Sequence, residues 1–381
     1  MPTSHQVLST ILKHDAKVTS YKIALIRAIN DIVLTYPDLK AHQTNVAIPL
    51  RRMADFWIAY YWPFVDPQAP ILQGQVVKRA TSTNQDISFR PALTELRNQW
   101  EAIIGGIKNP ADGFFLINEL RLLRQGDHYP QSLLKAYQQA TNAIIKTLEM
   151  PIRYAGPGEW SIFPKPQPYA KIASSAVAIP GTQLQDRCTV ISLDLWTNFR
   201  DLSLWVEALS IHEWCLFSER ISGQNRGFVY TLLTARPDNR RPLTWERNQI
   251  DLLIMEGCSF TCPWTQKPIT QGISYDLDHI LPIALYPTNE LWNLVPADPE
   301  FNSHQKRDRL PTPNRLSQAQ PHLQNTYQHY GNSPALAQIL QEDARLRFTT
   351  VSPHQPFPEA LTIAVIDLVS DVAASRNLAR F

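Results

Sequence analysis

The stretch from Cys258 to Pro311 constrains this chain more tightly than any other part of it. Within it, YDLDHILP (Tyr275 to Pro282) has the pattern of a short strand, and Pro282, which has no backbone N–H to give to a ladder, turns the chain away from the sheet. The strand thus ends on Asp278 and His279, which sets a carboxylate and an imidazole side by side. NELWNLVPAD follows as a loop with no glycine and with Asn293 at its centre. FNSHQKRDRLP then begins a short helix carrying Asn302, His304, Lys306 and Arg307. The local order is strand, loop, helix.

The rest of the chain predicts an α+β fold that is mainly α-helical. From Ser20 to Tyr36, Ile26, Ile29, Ile32, Val33 and Tyr36 recur on one helical face, with Thr19 or Ser20 available as the cap. Pro49 suits the first turn of a second helix, and the aromatic run LRRMADFWIAYYWPF continues it until Pro63. At helical spacing such a run is more often core than a platform for stacking bases. Further helical patterns cover about 91–104, 113–123 and 131–150.

At Pro151 the composition shifts to Pro, Gly and aromatic residues, which favours short strands and turns. VISLDLW fits one such strand, and Leu195, Phe199, Leu202, Trp205, Leu209 and Leu216 mark a long amphipathic helix ending near Ser222. His212 on that helix reads as a packing or surface residue. The expected regions are a helical N-terminal domain over 1–150, a middle region with short strands and the long helix over 151–235, the Asp-His module over 236–315, and helices over 316–381.

Composition narrows the setting. A content of 44% hydrophobic residues supplies more than one core, and a net charge of +2 means that any nucleic-acid surface must come from local clusters of Lys and Arg. Four cysteines, Cys188, Cys215, Cys258 and Cys262, are too few and too scattered for a disulfide framework. The first residues lack the apolar run of a secretory signal, and ALTIAVIDLVSDVAA is interrupted by Asp367 and Asp371 and is too short to span a bilayer. A cytoplasmic protein with no membrane segment is expected.

At DLDHILP, WNLVP and FNSHQK the chain resembles the HNH, or ββα-metal, endonuclease family, as a standalone bacterial type, over roughly a fifth of its length. The spacing of Asn293 and Asn302 is similar to that in the HNH domains of CRISPR effector nucleases. The resemblance implies a C-terminal HNH module that hydrolyses phosphodiester bonds, with His279 as the general base that takes a proton from water. It further implies that Asp278 and Asn302, with His304 as the alternative to Asn302, hold a hard divalent ion, Mg2+ or Mn2+. Asn293 takes a supporting role that orients the loop or the histidine. Asp276 reads as a polar residue on the outer face of the strand.

Lys306, Arg307 and Arg309 are expected to contact the nucleic acid, and Arg236, Arg240, Arg241 and Arg247 are either contacts or solvated side chains. DNA is the expected partner, RNA remaining open. The resemblance also suggests a role in prokaryotic defence or in a mobile element. The helical N-terminal domain could serve a protein or ribonucleoprotein partner, and a catalytically dead nucleic-acid-binding scaffold is the other alternative. In family members with a structural zinc, two cysteine pairs hold it; here Cys262, Thr265, Asp298 and Phe301 fall at those positions, so no structural zinc is expected. Phe301 and Trp264 are the candidates to fill the space.

Overall fold

The computed structural model describes residues 4–39, 44–74, 86–105, 108–122, 129–348, 351, 355–376 and 378–381. The end of the helix expected over 113–123, at Leu123, lies outside them. Two compact units are present, one of Met1–Tyr36 and Lys40–Pro237, the other of Pro37–Leu39 and Asp238–Phe381.

The N-terminal unit contains helices α1 (Ser4–Ser9), α2 (Tyr21–Thr35), α3 (Leu50–Tyr61), α4 (Arg90–Ile104), α5 (Asp112–Arg121), α6 (Gln131–Arg153), α7 (Leu193–Asp201), α8 (Ser203–Ser222) and α9 (Arg226–Leu233). The predicted face of α2 is buried, and so is the aromatic run of α3: Trp57, Tyr61 and Phe64 gather with Phe89 and Trp214, with Trp57 and Tyr61 each fully enclosed. Gly113 on α5 lies so close to α3 that a Cβ there would stand 2.9 Å from the Ala59 Cα. The absence of a side chain is what lets the two helices meet.

Two expectations for this unit are corrected. Residues 1–150 are not all helical, because β1 (Asn45–Pro49) lies inside a four-stranded sheet of order β2-β4-β1-β3, with β2 (Gln167–Pro168), β3 (Ala176–Ala178) and β4 (Arg187–Ile191). β1 runs parallel to β3 and antiparallel to β4. The middle region therefore shares a sheet with the region before it. The cause is the apolar triplet Val46, Ala47 and Ile48, too short to show a period yet wholly buried, with Pro49 standing just before α3 rather than inside its first turn.

The long helix expected up to Ser222 is two helices, α7 and α8, broken at Leu202. The break shifts the helical phase. Ser203, Val206, Ser210, Trp214, Phe217 and Ser218 form the buried face of α8, while Trp205 is 76% exposed. Small serines permit close packing there, and a reading by apolar residues alone selects the wrong face. His212 is exposed, in keeping with its reading as a surface residue.

The C-terminal unit contains α10 (Thr244–Met255), β5 (Phe260–Thr261), β6 (Pro268–Ile269), β7 (Asp276–His279), β8 (Leu294–Ala297), the short α11 (Pro299–Phe301), α12 (Pro313–Tyr330), α13 (Pro334–Arg347) and α14 (Phe357–Ser375). A single hydrophobic core runs through it, taking in Ile250 of α10, Phe260 of β5, Trp292, Tyr327 of α12, Leu340 of α13 and Leu368 of α14. The helices after residue 315 thus complete the core of the Asp-His module, and the four expected regions pack as two. No helix among the described residues is long and apolar enough to cross a membrane.

Candidate active site

β7 pairs antiparallel with β8, with Asp276 opposite Ala297, Asp278 opposite Val295 and His279 opposite Leu294. Side chains alternate along a strand, so Asp276 and Asp278 share one face while Leu277 and His279 take the other. The sequence places Asp278 and His279 side by side; the strand sends their side chains apart, and each meets its own set of partners.

The connection between β7 and β8 is held on Asn293. Its side chain is wholly buried, accepts from the Leu281 N–H at 2.7 Å and donates to the Leu281 carbonyl at 3.0 Å, while its own carbonyl receives the Ile280 N–H at 2.8 Å. One neutral amide thereby closes the turn just after the strand from both ends. Replacing Asn293 with Ala leaves two buried backbone groups of Leu281 without partners, at about 1–3 kcal/mol each. Urea unfolding is expected to show a loss in that range; a change within experimental error would remove Asn293 from this role.

Side chains from the C-terminal helices hold the same connection. Tyr327 donates to the Trp292 carbonyl at 2.6 Å, Tyr330 to the Leu294 carbonyl at 2.9 Å, and Asp343 accepts from the Leu291 N–H at 2.7 Å. Sequence reasoning missed all three, because they lie far along the chain on helices whose pattern reports only burial.

His279 is half-buried, and its Nε2 lies 2.8 Å from Oδ1 of the fully buried Asn289. The Asn289 amide is oriented by its other end, where Nδ2 donates to Asn239 Oδ1 at 3.2 Å. Oδ1 of Asn289 is therefore an acceptor, Nε2 carries the proton, and Nδ1 is left as the basic nitrogen. Burial pushes the imidazole below its ordinary proton affinity, against the opposing pull of the Asn289 bond and of Asp278, and so favours the neutral ring. Asn289 too was missed from the sequence: the buried polar run Thr288, Asn289 and Glu290 has no periodicity to flag it.

On the other face, Asp278 is 5% exposed and both of its oxygens are engaged. Oδ2 accepts from the Trp264 indole at 2.9 Å, and Oδ1 accepts from the Lys306 ammonium, also at 2.9 Å. Lys306 Nζ donates in addition to the His279 carbonyl at 2.7 Å. Lys306 is 1% exposed, which corrects its expected part in contacting nucleic acid: an ammonium so enclosed cannot reach a phosphate.

It is placed by an unusual backbone. Asn302–Lys306 form a single π-helical turn, closed by a bond from the Arg307 N–H to the Asn302 carbonyl at 3.0 Å, and Arg307 leaves the turn in the left-handed half of conformational space with φ 50°. A non-glycine residue held there stores strain, which makes the turn a constrained element.

Asn302 donates through Nδ2 to Asp276 Oδ2 at 3.3 Å, so Asp276, read from the sequence as outward-facing, is the partner of the helix amide. His304 is exposed and bonds through Nδ1 to the Glu300 carbonyl at 3.1 Å. Arg307 is exposed, and Arg309 is half-buried with its guanidinium on the Gln305 carbonyl. Three of the upstream arginines are engaged within the unit: Arg240 pairs with Asp238 at 3.0 Å, Arg241 pairs with Glu246 at 2.9 Å, and Arg247 donates to the Tyr275 carbonyl at 2.6 Å.

This donor set does not fit a divalent ion as arranged. The carboxylate oxygens of Asp278 are taken by an indole and by a cation, and the Asn302 amide presents its N–H to Asp276. Among the described residues, no group of three or more His, Cys, Asp and Glu side chains is gathered for a metal.

The turn at the expected zinc-cysteine positions is built from other contacts. Cys262 Sγ accepts the Asp298 N–H at 3.3 Å, and Lys267 pairs with Asp298 at 2.6 Å. Trp264 and Phe301 each pack edge-on against Phe381, at 5.6 and 5.5 Å between ring centroids, with the Arg315 guanidinium over Phe301 and Phe381. The two turns are joined by an ion pair and an aromatic cluster.

No curated protein and no solved structure matches the chain. Two family models do. One, described as HNH endonuclease, matches residues 262–312, which hold β7, β8, Asn293 and the π-helical turn, so the C-terminal part carries an HNH endonuclease domain. The other covers more than half of the chain, residues 3–233, and on that match the protein belongs to the family described as a domain of unknown function (DUF8808).

Proposed function

We propose that this protein is a hydrolytic endonuclease that cuts phosphodiester bonds in DNA, with His279 as the base that activates water. The observation that carries this reading is the bond from His279 Nε2 to Asn289 Oδ1, which leaves Nδ1 as the basic nitrogen on a ring that burial keeps neutral. The HNH endonuclease match supports nuclease chemistry in general.

Water bound at Nδ1 gives its proton to the imidazole as its oxygen attacks phosphorus. The bond from phosphorus to the 3′-oxygen breaks, and that oxygen takes a proton from solvent. The products are a 5′-phosphate and a 3′-hydroxyl. Arg307 and Arg309 are the side chains proposed to meet phosphate oxygens beside the cut. HNH nucleases are in general metal-dependent. The Asp278 carboxylate is neutralised by the Lys306 ammonium, 2.9 Å from its Oδ1. The N-terminal unit is proposed to supply recognition of the target or of a partner.

The test is to incubate the purified full chain, with Mg2+ and with Mn2+, with supercoiled plasmid and separately with labelled single-stranded RNA. Nicked or linear plasmid bearing 5′-phosphates is the expected result. Cutting of RNA alone would move the substrate from DNA to RNA. Failure to cut either, or ends bearing a 2′,3′-cyclic phosphate, would contradict the hydrolytic reading.

A further inference from the structure

The side chain of Lys306 is 1% exposed, and its Nζ sits 2.9 Å from Asp278 Oδ1 and 2.7 Å from the His279 carbonyl. A divalent ion held by Asp278 would need an oxygen of that carboxylate. Oδ2 already accepts from the indole N–H of Trp264, 6% exposed and packed against Phe381, which encloses that side of a carboxylate only 5% exposed. Oδ1 carries the ammonium. We infer that Lys306 is the resident cation of this domain, and that its pairing with Asp278 and the binding of a divalent ion through Asp278 are mutually exclusive.

The charge balance makes the exclusion physical. One buried carboxylate faces one buried ammonium; an added ion of charge +2 beside them would put like charges within a few ångströms of each other in a site closed to water, where their repulsion is little screened. An ion can enter only as Lys306 leaves. Lys306 is the last residue of the π-helical turn, and the strained Arg307 follows it directly. A rearrangement of that turn relaxes Arg307 and withdraws the ammonium together. The inference rests on the nuclease reading for the kind of ion concerned, and its test measures binding rather than cutting, so the two can fail separately.

The test is Mn2+ binding to the full-length protein, followed by the electron paramagnetic resonance of free Mn2+, for the wild type, Lys306→Met, and the double variant Asp278→Asn/Lys306→Met. Removing the competing cation removes the fraction of molecules closed to the ion, so Lys306→Met is expected to bind Mn2+ at least about tenfold more tightly than the wild type. The double variant is expected to lose that gain. Equal or weaker binding by a folded Lys306→Met would overturn the inference, since it would make Lys306 neutral to the ion or a support for it. So would a gain that survives loss of Asp278.

If Lys306→Met does not fold, the wild type decides the matter through reductive methylation of its lysines read by mass spectrometry. Lys306 is expected to resist methylation without Mn2+ and to become reactive as Mn2+ is added. Reactivity of Lys306 that does not change across the titration would overturn the inference.

Discussion

Replacing His279 with Ala is expected to lower the cleavage rate by about 10^2 to 10^4-fold, the usual contribution of a positioned general base. The substitution removes one half-buried ring and takes a donor from the buried Asn289 oxygen, a modest loss of stability, so the fold should persist and circular dichroism should match the wild type. Added imidazole should restore part of the rate, because the space left by the ring admits a free base of the same chemistry. The pH dependence follows from the same geometry. Only the neutral ring accepts a proton, and burial lowers its proton affinity, so activity should hold as pH falls past about 6.5, the ordinary histidine value, and fail at lower pH. Single-turnover rates across a pH series measure both effects. A variant that cuts at the wild-type rate would remove His279 from the chemistry.

The second large effect is on stability. Asp278→Asn keeps the shape of the side chain but leaves the Lys306 ammonium buried without a counter-charge, which in general costs about 3–5 kcal/mol. If Asp278 served only to hold an ion, its neutralisation would cost activity and leave stability nearly unchanged. Urea unfolding with hydrogen exchange followed on β7 and β8 reports on this unit and separates the cases. The double variant Asp278→Asn/Lys306→Met, with both charges gone, is expected to recover most of the loss. Unchanged stability of Asp278→Asn would show that the ion pair carries little.

What could be read from the sequence divides by the range of the interaction. Helices α2 to α6, α10 and α12 to α14 follow from apolar residues repeating at helical spacing, a local signal. The same logic failed at Leu202, where one residue leaves the helix and resets the phase, and at Val46 to Ile48, where three buried residues are too few to repeat. In the candidate site, YDLDHILP and FNSHQK gave the first strand and the helical turn, while WNLVP, read as part of a loop, holds the start of strand β8, whose four residues are too few to show a period. They did not give the partners. Lys306 looks like any basic residue on a short helix, and only the π-helical turn aims it inward at Asp278. Asn289 and Asp343 are polar residues whose roles depend on groups 10 and 52 positions away, at His279 Nε2 and the Leu291 N–H. No spacing rule reaches them.

If water activated at His279 attacks phosphorus and expels the 3′-oxygen, the oxygen it brings must end in the product. Cleavage of a DNA substrate in water enriched in oxygen-18 under single-turnover conditions reads where it goes. One heavy oxygen is expected in the new 5′-phosphate and none in the 3′-hydroxyl, with the cut and the label slowed together in His279→Ala. Label at the 3′ end, or cutting with no label in the 5′-phosphate, would contradict it.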